Sequence, residues 1–145
     1  MDRDELLRRE DEGWTALMTA VERVPAARRG EPGVVPGWSV NDLVWHCGKW
    51  AEWVREPLGL IQQGSYDPDR EYPWERMNDE WAAASKDMPW EEIEAGVNAM
   101  RRDARNALLA LPTPGEEAVR EFTSETVEHY AEHAAEIARF AERTS

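Results

Sequence analysis

Apolar residues recur at helical spacing along most of the chain. Leu7, Trp14, Leu17, Met18, Val21 and Val24 form one stripe and predict a first helix over residues 4–24. Glu10 falls inside that apolar arc. It reads either as part of an exposed first turn or as a carboxylate aimed into a polar site between helices. Gly30, Pro32, Gly33, Pro36 and Gly37 make residues 25–37 a loop. A second helix starts at Ser39, where Ser39 and Asp42 have the spacing of a capping box. Its buried stripe is Val40, Leu43, Val44, Cys47, Ala51 and Val54, with His46 at the stripe's edge. Pro57 and Gly59 weaken its end.

Breakers return over residues 62–74, and a short helix is predicted over residues 74–84. Asp87 is the expected cap of the next helix, with Pro89 in its first turn. Trp90, Ile93, Val97, Met100, Ala104, Leu108 and Leu111 give that helix its buried face, and Pro112-Thr113-Pro114-Gly115 ends it. The last helix is expected over residues 122–142, burying Phe122, Thr126, Ile137 and Phe140 together with His129 and His133. No strand pattern competes, since Gly33-Val34-Val35 is too short. The expected fold is all-α: one four-helix-bundle domain over residues 1–145, with a long crossover between helices two and three.

Composition then narrows the function. A net charge of -13 argues against nucleic-acid and anionic-membrane partners, which call for clustered Lys and Arg. No apolar run approaches the roughly 20 residues of a membrane span. The charged start, Met1-Asp2-Arg3-Asp4-Glu5, is unlike a signal peptide. Cys47 is the lone cysteine, which excludes an intramolecular disulfide and fits the cytoplasm. Eight tryptophans supply large apolar surfaces for a core, a pocket or an interface. Trp45 projects opposite the stripe of helix two, which predicts a covering surface such as a homodimer contact.

The chemistry lies in the histidines. His129 and His133 are four residues apart and share one helical face, while His46 sits on another helix. Each alone reads more readily as a hydrogen-bonded core residue than as a ligand. Together they suit a three-nitrogen metal site with open coordination positions. Imidazoles favour zinc, nickel or iron over calcium or magnesium, with zinc the first expectation. Glu125 and Glu136 flank the pair as acceptors for ring N–H groups, a fourth ligand or a proton relay, or simply as a solvated acidic edge. Trp38, Trp50, Trp53, Trp74 and Trp81 are candidate walls for a substrate or cofactor, against the plainer role of core or dimer packing. Tyr72 and Asn78 are candidate donors to a developing oxyanion, against the plainer role of organising turns. Cys47 points about 100° away from His46 around the helix and belongs to the core.

Gly37-Trp38-Ser39-Val40-Asn41-Asp42-Leu43-Val44-Trp45-His46 resembles the start of helix two in the DinB/YfiT-like superfamily, and His129-Tyr130-Ala131-Glu132-His133 resembles its last-helix motif. Trp74-Glu75-Arg76-Met77-Asn78 and Lys86-Asp87-Met88-Pro89-Trp90 look more like the ClbS/DfsB branch. The resemblance spans nearly the whole chain. It implies a four-helix bundle with a divalent metal on His46, His129 and His133, often in a homodimer. Some relatives transfer or isomerise with mycothiol or bacillithiol, and the ClbS-like branch includes a hydrolase of a reactive cyclopropane genotoxin. The extra C-terminal domain of mycothiol-dependent maleylpyruvate isomerases is expected to be lacking. The expected function is a metal-dependent hydrolase or thiol S-transferase acting on an electrophilic small molecule, in detoxification or self-resistance. The alternative is a non-catalytic, dimeric bundle that binds metal or a small molecule.

Overall fold

The computed structural model describes residues 1–144, and these are helical throughout apart from loops. Helix α1 (Arg3–Glu22) is capped by Asp2, whose side chain accepts from the Glu5 amide at 2.8 Å. Helix α2 (Val40–Trp53) opens with the full capping box. Ser39 Oγ accepts from the Asp42 amide at 3.1 Å, and Asp42 accepts from the Ser39 amide at 3.0 Å. Helix α3 (Arg55–Gln63) follows after Val54, with Pro57 in its first turn, where the missing N–H is tolerated. Helix α4 (Trp74–Ser85) lies in the crossover, and α5 (Trp90–Leu109) returns through the bundle. Asp87 does not cap α5; the helix starts behind Pro89 with no side-chain cap. The last helical run starts at Glu116, earlier than expected, because Pro112 through Gly115 is its only break. It comprises α6 (Glu116–Thr123), a π-helical segment (Ser124–Glu128) and α7 (His129–Thr144).

The protein is an all-helical bundle of four: α1, α2 continued by α3, α5, and the α6–π–α7 run. Helix α1 packs chiefly on α7, α2 chiefly on α5, and α4 covers α2. Among the described residues there is no strand; Val35 and Trp38 form an isolated bridge. Two apolar clusters fill the interior. One gathers Trp14, Leu17, Val44, Val97, Tyr130 and Ile137; the other gathers Leu6, Leu58, Leu108 and Phe122.

The α2–α5 contact is close because glycine sits on both sides of it. A Cβ on Gly48 would meet Val97 Cγ1 at 2.6 Å, and one on Gly96 would meet the Trp45 ring at 2.6 Å. Trp45 is therefore covered by α5 of its own chain, and the outward projection expected of it does not occur. Its cover is the flat helix surface that Gly96 leaves bare, a feature one helix's periodicity does not show. Gly48→Ala should lower unfolding stability by about 1–3 kcal/mol, because stiff, buried Val97 cannot move aside. Gly59→Ala, with nothing within 4 Å, should instead raise stability by about 0.5–1 kcal/mol through helix propensity. Urea unfolding of the two variants checks both signs.

Candidate metal centre

Helix α2 delivers His46, and the junction of the π segment with α7 delivers His129 and His133. His46 Nε2 and His129 Nε2 lie 3.0 Å apart, as do His129 Nε2 and His133 Nε2. All three donor atoms lie within 4.8 Å of one another. His46 is buried, and the other two are half-buried. Trp38 packs its ring edge-on against His46 at a centroid distance of 5.0 Å. It is brought there by a tight turn in which Gly37 takes φ 81°, a left-handed conformation suited to glycine.

The last helix departs from the expectation in one informative way. A regular helix would carry Phe122, Thr126, His129, His133, Ile137 and Phe140 on one inward stripe. The π segment inserts extra residue into the turn before His129. Tyr130 then takes the fully buried place, and both histidines move to the edge of the core. The four-residue steps from Phe122 to Thr126 to Tyr130 are the one trace of this in the sequence.

The electrostatics suit a nitrogen donor set. Burial pushes His46 down to about 3, and the rings of His129 and His133 add to the effect. His129 is pushed to about 3 by burial and then by His133. Both rings are neutral at neutral pH. His133 Nδ1 is hydrogen-bonded to Glu136 Oε1, so Nδ1 carries the proton and Nε2 turns its lone pair toward the other rings. Tetrahedral zinc with imidazole ligands separates donor nitrogens by about 3.3 Å, close to the 3.0 Å from His129 to each of the other two. The three residues therefore fit a divalent transition metal. Glu136 is the flanking acid that meets a histidine ring directly.

His46 and His129 open onto a cavity of about 290 Å³ lined also by Trp50, Tyr72, Trp74, Asn78 and Glu125. Trp50 donates its indole N–H to Asn78 Oδ1 at 2.7 Å, leaving the Asn78 amide N–H₂ as a donor on the cavity wall. Burial, followed by Glu121 and Glu128, raises Glu125 to about 7. Trp53 stands outside this wall: it stacks behind Tyr72 at 4.6 Å and faces a separate surface hollow with Trp81. Trp81 packs edge-on against Trp50 at 5.0 Å, also behind the wall. Cys47 is buried in the core, and burial pushes its thiol up.

Residues 7–137 match the family described as mycothiol maleylpyruvate isomerase N-terminal domain. The chain belongs to that family. It is thereby a member of the DinB/YfiT-like superfamily. The fold agrees: the crystal structure of an uncharacterised protein from Escherichia coli UTI89 superposes with a TM-score of 0.75. That likeness covers 99% of this chain and 94% of the other at 17% sequence identity. No curated protein matches this chain. The family link ties the DinB-like bundle to metal binding and to thiol chemistry.

The depressed histidines set a pH dependence for the metal-free protein. Unfolding restores their ordinary affinity for protons, so the unfolded state binds more protons between about 3 and about 6.5. Stability should therefore rise with pH across that window and be lost as pH falls. Glu125, raised to about 7, opposes this with one group against two. Denaturant midpoints from pH 4 to pH 7 should show the slope, and His46→Gln with His129→Gln should remove it and leave the opposite slope that Glu125 sets.

Proposed function

We propose that this protein is a divalent-metal-dependent enzyme, a hydrolase or thiol S-transferase that acts on an electrophilic small molecule. The carrying observation is the convergence of three histidine nitrogens, with His46 and His129 on the wall of one aromatic cavity. His46, His129 and His133 are the metal ligands, with zinc first and nickel or iron also suited to the donors. A bound divalent ion supplies Lewis acidity to a water or a low-molecular-weight thiol. Glu125 accepts the nucleophile's proton and returns it to the leaving group, a task matched to its value of about 7. Tyr72 and the Asn78 amide donate to the developing oxyanion. Trp50 and Trp74 hold the electrophile against the centre, while Trp38 packs on His46 and fixes its ring. The family description, with its mycothiol, favours a thiol as the nucleophile. The ClbS/DfsB-like middle segment favours water and a hydrolytic, self-protective role.

This reading has the enzyme working in the cytoplasm as a homodimer. Among the described residues no helix is long and apolar enough to cross a membrane. Trp74, 52% exposed at the cavity rim, also suits a second reading in which the bundle sequesters an aromatic ligand without turnover.

Protein purified without a nickel column should carry, or take up, about one equivalent of zinc. His133→Ala should weaken zinc binding by about 100-fold while helicity holds. In a screen of thiol–electrophile conjugation and electrophile hydrolysis, Glu125→Gln should slow the metal-loaded enzyme by about 100-fold. Equal rates for wild type and His133→Ala would support the sequestering bundle instead.

A further inference from the structure

The buried acid on α1 lies outside the cavity but reaches the helix that bears the histidines. Glu10 is 1% exposed. Its Oε2 accepts from Arg101 Nε at 2.7 Å and from the Tyr130 hydroxyl at 2.9 Å. Its Oε1 accepts from Arg101 Nη2 at 2.8 Å and Arg105 Nη1 at 2.8 Å. Both oxygens are thus fully engaged, and the two-pronged Arg101 contact fixes the plane of the carboxylate. Of the two sequence readings of Glu10, the carboxylate in a polar site between helices is the one found.

Tyr130 follows His129 directly and lies in a mould made by one face of α1. Its ring packs edge-on against Trp14 at 5.1 Å. A Cβ on Gly13 would touch the Tyr130 ring at 3.4 Å and the Val127 backbone at 3.8 Å. Glu10, Gly13 and Trp14 are spaced i, i+3 and i+4, so the π segment and Tyr130 press on a continuous helix face. The π segment gives up regular hydrogen bonding, and Thr126 Oγ1 donates to the Phe122 carbonyl at 2.6 Å beside it. Relaxing the segment to α-helix would turn α7 by about 100° relative to α6. That turn would carry His129 and His133 away from His46. It would also withdraw the Tyr130 hydroxyl from Glu10, leaving a buried acceptor short of a donor.

We infer that Glu10, acting through the Tyr130 hydroxyl, is a positioning residue for the metal centre: it holds the π-helical register that brings His129 and His133 to His46. The inference rests on the metal-site reading above. A buried ion pair is weak as a source of stability, and its best-attested use is to specify register, which is the use made of it here.

The test measures zinc affinity by competition with a chromophoric chelator, and the cobalt(II) absorption spectrum of the cobalt-loaded protein. Tyr130→Phe keeps the ring and removes only the hydroxyl. It should bind zinc about 10-fold more weakly and alter the cobalt bands. Glu10→Gln should act in the same direction if it folds. Leu108→Ala, in the other apolar cluster, should lower stability yet keep wild-type zinc affinity and cobalt bands. Wild-type zinc affinity in Tyr130→Phe, or a loss no larger than that of Leu108→Ala, would overturn the positioning role alone. Failure of the wild type itself to bind either metal would overturn the metal reading and this inference with it.

Discussion

The last helix must satisfy two partners at once, and a straight α-helix cannot do so. Its first turns bury Phe122 and Thr126 in the core, while its later turns must keep two imidazoles half-buried beside His46, His129 on the cavity wall. The extra residue of the π segment resolves that conflict by re-phasing the helix between the two tasks. Tyr130 becomes the core residue, and the histidines beside it stay half-buried. A fully buried pair would have no open coordination position. A fully exposed pair would lack the desolvation that keeps the His129 ring neutral.

Charge works with this geometry. Three neutral nitrogens leave a divalent cation its whole charge, which is the condition for strong polarisation of a nucleophile. The surrounding chain carries a net charge of -13, and Glu121, Glu125, Glu128 and Glu136 stand on the same helical run. Their field favours a cation at the centre over a distance beyond direct contact. The acids also differ in setting: Glu136 is hydrogen-bonded to the His133 ring, while Glu125 sits on the cavity wall, where burial raises it to about 7.

Much of this was legible in local sequence. The Ser39–Asp42 capping box depends on four consecutive residues, and it is present as written. The three histidines were visible because helical spacing alone puts His129 near His133, and an inward-edge His46 needed only a bundle to meet them. What stayed hidden depends on partners far along the chain. Glu10 meets Arg101 and Tyr130 across separations of 91 and 120 residues. Trp45 looked exposed because its cover, the bare surface at Gly96, lies on another helix. The π segment left little trace because its sequence, Ser-Glu-Thr-Val-Glu, is ordinary for an α-helix, while the α1 face it packs on is far along the chain. Trp53 was assigned to the pocket by adjacency to Trp50, yet three residues of helix separate their directions enough to put it behind Tyr72.

The crossover is fastened to the bundle by polar and aromatic contacts, among them Tyr66 and Arg70 on Glu121 and Trp81 on Trp50. Ser85, at the end of α4, donates to Asp42 at 2.6 Å, and Asn78 accepts from Trp50 at 2.7 Å. Neither bond involves a histidine, and the crossover contributes none of the three donor nitrogens. Part of the cavity wall and the three candidate ligands therefore come from separate stretches of the chain. A change between α3 and α5 thus alters the walls at Tyr72, Trp74 and Asn78 without touching a histidine in sequence.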